Sequence, residues 1–158
     1  MAINIFVDSD GVIYDFCTHV MNHLGCSPNA IADDDLWPRV AGIPDFWSTM
    51  PLLPWAHDLL AFLAPYHPCI LTGCPQTGYA IAAQQKLAKY AIQFPGLPVI
   101  TCRSRDKPAH LKAAGDILLD DRDNNFKRWR KAGGQAVLFR TYEQAVTDLT
   151  GLLQGNPR

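Results

Sequence analysis

Apolar residues along the chain gather into five short runs: 3–8 (INIFVD), 68–72 (PCILT), 98–102 (PVITC), 116–120 (DILLD) and 135–139 (QAVLF). Each run is apolar along its length rather than alternating, the pattern of strands covered on both faces. Between the runs the period changes. Residues 76–92 repeat apolar side chains near i, i+3, i+4 (Tyr79, Ala82, Ala83, Leu87, Tyr90), which predicts a helix, and 106–114, 123–132 and 142–153 read the same way. Gly133 and Gly134 are placed to end the third of these helices, and Asp123 to cap its start. Strands alternating with helices predict an α/β protein: a doubly wound, Rossmann-like parallel sheet.

Residues 16–64 break the alternation. They offer helices with no strand between them and carry Pro28, Pro38, Pro44, Pro51 and Pro54. They are expected to form a small helical cap inserted after the first strand, leaving 1–15 and 65–158 as the core. Ser27 before Pro28, and Ile43 before Pro44, suit helix starts with proline in the first turn. The acidic run Asp33-Asp34-Asp35 is expected to be a solvated helix face. Trp37, Phe46, Trp47 and Trp55 are expected to pack between cap and core, with Trp47 equally suited to stacking on a substrate.

Composition narrows the classes. Fourteen basic and fifteen acidic side chains give a net charge of -1, so no general basic field exists to hold long nucleic acid. Cys17, Cys26, Cys69, Cys74 and Cys102 are odd in number and lack a CxxC pair, which fits neither a disulfide framework nor a zinc site. No segment reaches the roughly 18 apolar residues of a membrane span, and the first residues run straight into a strand pattern. A soluble, cytoplasmic protein is expected.

Function in a doubly wound sheet concentrates beyond the carboxyl ends of the strands. Asp8-Ser9-Asp10-Gly11 follows the first strand, Thr72-Gly73 the second, Arg103-Ser104-Arg105-Asp106-Lys107 the third and Asp120-Asp121 the fourth. Carboxylates, a hydroxyl and cations at one sheet edge suit a phosphoryl group with Mg²⁺, which takes one or two carboxylates and fills its octahedron with water and phosphate oxygen. Asp8 is placed to attack phosphorus and Asp10 to exchange protons with the leaving and entering oxygens. Thr72 and Lys107 would hold phosphoryl oxygens, with Gly73 and Arg105 beside the substrate. The metal is expected among Asp8, Asp10, Asp120 and Asp121, with the choice between the last two open.

In order, DSDGV, LTG, RDK and LLDD resemble the four motifs of the haloacid dehalogenase (HAD) superfamily of phosphatases over roughly 3–15 and 66–139. The resemblance implies Asp8 as nucleophile, Asp10 as general acid/base, Thr72 and Lys107 on phosphate and Asp120 with Asp121 on the metal side. Within that superfamily DSDGVIYDF, FWSTMPLLPWAHDLLAFL, and RDKP followed by DILLDDRDNN are similar to the 5'(3')-deoxyribonucleotidases. That implies a nucleoside monophosphate substrate with Phe46 and Trp47 near its base. The chain differs in a shorter cap and in TGCPQ where a serine–proline pair is expected. Alternatives are a phosphatase for polynucleotide 3' ends or small metabolites, a receiver-like signalling domain, and a module that only binds phosphate.

Overall fold

The structure, a computed structural model, describes residues 3–155. Its centre is a sheet of five parallel strands, β1 (Ile5–Val7), β2 (Cys69–Gly73), β3 (Val99–Cys102), β4 (Ile117–Asp120) and β5 (Gln135–Leu138), in the order β3-β2-β1-β4-β5. All five lie within the apolar runs, except that β2 extends one residue further to Gly73. The chain winds outward from β1 to β2 and β3, then returns to the other side of β1 for β4 and β5. A crevice therefore opens at the carboxyl end of β1, the switch point where such sheets bind ligands. This strand order also differs from the 2-1-3-4-5 order of receiver domains.

Between β1 and β2 lie α1 (Phe16–Leu24), a 3₁₀ turn (Pro28–Ala30), α2 (Asp33–Ala41), α3 (Phe46–Thr49) and α4 (Ala56–Leu63). Then come α5 (Tyr79–Gln93), α6 (Asp123–Lys131) and α7 (Tyr142–Gln154). Ser27 caps the 3₁₀ turn as expected, its side chain accepting from Asn29 N at 3.3 Å with Pro28 in the first turn. The start expected at Ile43 does not form. Pro44 lies in a turn, and α3 begins at Phe46 after Asp45, whose φ of 55° reverses the chain. Asp123 is the first residue of α6 rather than its cap; Arg122 holds that position while Asp123 pairs with Arg140 at 3.1 Å.

The helix expected at 106–114 is instead a 3₁₀ segment, Ser104–His110, with Pro108 inside it. Pro108 has no N–H to give a helical ladder. Further on, the Asp116 carboxylate takes the N–H groups of Lys112 (2.8 Å) and Ala113 (3.0 Å), fixing a turn there.

One face of the sheet builds the larger core. Ile5 and Val7 share one buried cluster with Leu59 and Leu63 of α4, Tyr90 of α5 and Leu149 of α7, and the same cluster takes in Val20, Leu36, Val40 and Phe46 from the inserted helices. Each such buried side chain contributes about 1.5–3 kcal/mol. The other face buries Phe6, Leu71 and Leu118 against Trp129 of α6. On α5 the inward face differs from expectation: Ala82 and Tyr90 are buried, but Leu87 is 42% exposed and Lys86 and Lys89 turn inward.

Candidate active site

Asp8 leaves β1 with its N–H still paired to Leu119 O (2.8 Å), which fixes it at the sheet edge. The chain then coils tightly: Ser9 O accepts from the N–H groups of Ile13 (2.8 Å) and Tyr14 (3.0 Å). Tyr90 of α5 pins this loop by donating its hydroxyl to Ser9 Oγ at 2.8 Å. Gly11 sits at φ +84°, and a Cβ there would fall 2.1 Å from Asp121 Oδ2. Glycine thus lets the loop and the second acidic pair approach each other.

Lys107 comes from the 3₁₀ segment and is only 1% exposed; its Nζ donates to Asp8 Oδ1 and Asp120 Oδ2, both at 2.6 Å. Burial works to lower the pKa of this lysine, but the two carboxylates outweigh it and hold the ammonium above its ordinary value. Asp120 is fully engaged, since it also accepts from Arg122 N (2.9 Å) and from Asn125 Nδ2 (3.0 and 3.2 Å). Asp121 is not: its Oδ1 is buried without a hydrogen-bond partner. Asp8, Asp120 and Asp121 each bring an oxygen within 4.8 Å of the others.

Three carboxylates therefore face one ammonium. Burial, followed by the charges of Asp8 and Asp120, pushes the Asp121 carboxyl well above the usual carboxylate range, and burial with Asp8 raises Asp120 despite Lys107. A hard divalent cation fits this donor set. Oxygen ligands alone are present, one of them is orphaned, and the local charge is uncompensated.

Asp10 stands apart from that trio. Lys86 of α5 donates to Asp10 Oδ2 (2.6 Å), Thr72 Oγ1 (2.9 Å) and Gly73 O (2.8 Å), and lies 4.4 Å from the centre of the Trp47 ring. Burial raises the Asp10 carboxyl, with Lys86 acting against it. Thr72 is fully buried under Lys86. Like Lys107, it stands behind the carboxylates.

A cavity of about 410 Å³ opens over these groups, floored by Asp8, Asp10 and Asp121. Phe16, Trp37 and Trp47 form an aromatic wall, with Phe16 and Trp47 stacked at 6.0 Å. Gly73 and Arg105 also line it. Phe46 does not: it is 1% exposed and packs on His19 and His23, because α3 turns it into the core. Gly73 admits Ser104 from the neighbouring strand end, where a Cβ would come within 2.2 Å of Ser104 Oγ. Cys74 is buried, and burial raises its thiol, so it offers no thiolate.

Sequence reasoning missed Lys86, Asn125 and Ser104. For Lys86 a signal existed, since it lies four residues after Ala82 and four before Tyr90 on the inward face of α5.

The chain has the Rossmann-like α/β fold of haloacid dehalogenase-type hydrolases. Among solved structures the chain is similar to L-2-haloacid dehalogenase from Xanthobacter autotrophicus, at 14% identity and a TM-score of 0.61 over 96% of this chain and 83% of that one. It is similar also to a hydrolase from Pseudomonas syringae (13%, TM-score 0.57, 99% and 100%) and to a predicted phosphatase from Clostridium acetobutylicum (11%, TM-score 0.54, 96% and 91%). At these identities the likeness is one of fold. No protein-family model matches the chain, and no curated protein matches it.

Proposed function

We propose that this protein is a Mg²⁺-dependent phosphomonoester hydrolase that works through a phosphorylated Asp8. The observation that carries the reading is the trio Asp8, Asp120 and Asp121 with its orphaned Asp121 oxygen, set beside an independently held Asp10. Asp8 and Asp121 would hold the cation directly, and Asp120 would position Lys107 and the α6 entrance. When bound, Mg²⁺ would neutralise the phosphate and ease the approach of a carboxylate to it.

Lys107 occupies Asp8 Oδ1 and leaves Oδ2 to attack phosphorus. A bond forms from Oδ2 to phosphorus, the bond to the substrate's alcohol oxygen breaks, and Asp10 gives that oxygen its proton. Water then attacks the acyl phosphate, Asp10 takes the proton back, and phosphate leaves. The raised Asp10 carboxyl suits this exchange. Residues 16–64 act as a cap, and the aromatic wall with Trp47 favours a nucleoside monophosphate whose base lies against it. Phosphatase and hydrolase neighbours of the same fold support the reaction class.

With Mg²⁺ the protein is expected to release phosphate from p-nitrophenyl phosphate, and Asp8→Asn to abolish release. Undiminished turnover in Asp8→Asn would sink the mechanism. A panel of deoxynucleotides, ribonucleotides, 3'-phosphorylated oligonucleotides and sugar phosphates tests the substrate; equal turnover of all would remove the nucleotide reading.

A further inference from the structure

Four aspartates, Asp8, Asp10, Asp33 and Asp121, and four arginines line the cavity. The arginines, Arg103, Arg105, Arg122 and Arg128, are four of the chain's fourteen lysines and arginines. Of the acids that share the cavity, Lys107 holds Asp8, Lys86 holds Asp10, and Asp121 belongs to the trio that suits a cation. The arginines are less closely paired. Arg105 reaches Asp106 only at 3.7 Å, Arg103 bonds the neutral amide of Gln76 at 2.7 Å, and among the described residues neither Arg122 nor Arg128 has a carboxylate within ion-pair distance.

Their placement is directional. Arg122 precedes α6 and Arg128 lies within it, while Arg105 belongs to the 3₁₀ segment that packs against that helix. Asn125, which holds Asp120, lies between Arg122 and Arg128 in sequence and also lines the cavity. Like charges gathered around one space repel unless an anion joins them, and guanidinium forks match phosphate or carboxylate oxygens in pairs. One phosphate at Asp8 already has the cation site to answer its charge.

We propose that the α6 side of the cavity, through Arg122 and Arg128 with Arg105 of the adjoining 3₁₀ segment, is a subsite for a second anionic group, so that the preferred substrate is a phosphomonoester whose alcohol portion carries another phosphate or a carboxylate. Only the position of the first phosphate rests on the phosphatase reading. The second anion contributes binding energy remote from the reacting bond, which lowers KM.

The test compares matched pairs with Mg²⁺: 2'-deoxyadenosine 3',5'-bisphosphate against 2'-deoxyadenosine 5'-monophosphate, and 3-phosphoglycerate against glycerol 3-phosphate. In at least one pair the more anionic member is expected to show kcat/KM about tenfold higher, carried by KM, and the Arg122→Gln, Arg128→Gln double variant to bring that ratio near one. The responding pair identifies the second group as phosphate or carboxylate. Ratios near one in the wild type, or a ratio untouched by the double substitution, overturn the subsite. Calorimetry of the same compounds with Asp8→Asn protein and Mg²⁺ reads the subsite without turnover. A binding preference erased by the arginine substitutions supports it even if no phosphate is ever released, in which case only the phosphatase reading falls. Hydrolysis of p-nitrophenyl phosphate with flat ratios removes the subsite alone.

Discussion

Lys86 shows how much one side chain organises here. An ammonium 4% exposed is stable only with partners, and it finds a carboxylate, a hydroxyl and a carbonyl on the ends of two strands. Lys86→Met strips Asp10 and Thr72 of their common donor, so kcat on p-nitrophenyl phosphate is expected to fall about 10²-fold, with Lys86→Arg intermediate. Asp116 is the structural counterpart at the opposite sheet edge. Its carboxylate accepts from Asn4 N (3.0 Å), Asn4 Nδ2 (2.8 Å) and the two N–H groups of the 112–113 turn. Asp116→Ala is expected to cost about 3 kcal/mol, a fall in Tm of roughly 6–12 °C for a domain of this size. Burial opposes ionisation of Asp116, but these hydrogen bonds outweigh it and hold its pKa below the ordinary value. The unfolded chain therefore takes up the proton first as pH falls. The stability gap between wild type and variant should be full above about pH 4 and close as the pH drops further. Asp8 and Asp120 were legible because each ends an apolar run, and Lys107 because it lies in the polar stretch just after one, whereas Lys86 was not, because an apolar periodicity passes over the polar residue that shares its face.

Among the elements, α3 depends most on its neighbour. Four residues cannot sustain a helix alone, and α5 supplies both of its ends. Gln85 Oε1 accepts from Trp47 N (3.0 Å) and Ser48 N (3.3 Å), while Lys89 donates to the carbonyls of Trp47 and Met50 and lies 3.9 Å over the Tyr14 ring. Burial lowers Lys89 to about 8. Between there and the ordinary lysine value near 10.5 the unfolded chain binds the extra proton, so this group makes stability rise with pH across that window. Tyr14 and Tyr90, raised by burial, oppose it only above about pH 10. The thiols of Cys17, Cys69, Cys74 and Cys102, raised by burial, lower stability in both proteins as pH passes the ordinary thiol value, so chemical denaturation from pH 7 to 10 is expected to show Lys89 in the difference, with wild type gaining on Lys89→Met as pH rises. The sequence placed a helix over α5 correctly but oriented it by Leu87. Its true orientation follows from acceptors on β2, the 8–14 loop and α3, which no local pattern contains. The 3₁₀ segment was missed for a related reason: Pro108 and the reach of Asp116 decide it.

For the molecule as a whole, a cation held by the acidic trio would link binding to stability. A ligand at 100 times its Kd stabilises the folded state by about 2.7 kcal/mol, so Mg²⁺ is expected to raise Tm by roughly 5–10 °C. Asp121→Ala should abolish that rise; a rise of wild-type size in the variant would move the cation elsewhere. The five parallel strands were readable from sequence because strands buried on both faces are apolar nearly throughout and recur between stretches of helical period. The inserted helices were readable only as a class, since their packing is set by the core they share with the sheet. That same sheet has a consequence for how the protein is made. β1 is synthesised first yet lies between β2 and β4, and Asn4 meets Asp116 across 112 residues of chain. On the ribosome, the strand that ends at Asp8 must wait for most of the polypeptide to emerge before its second neighbour exists. Nascent chains stopped short of β4 should stay protease-sensitive, and a slow, late docking step should set the time at which the active site first appears.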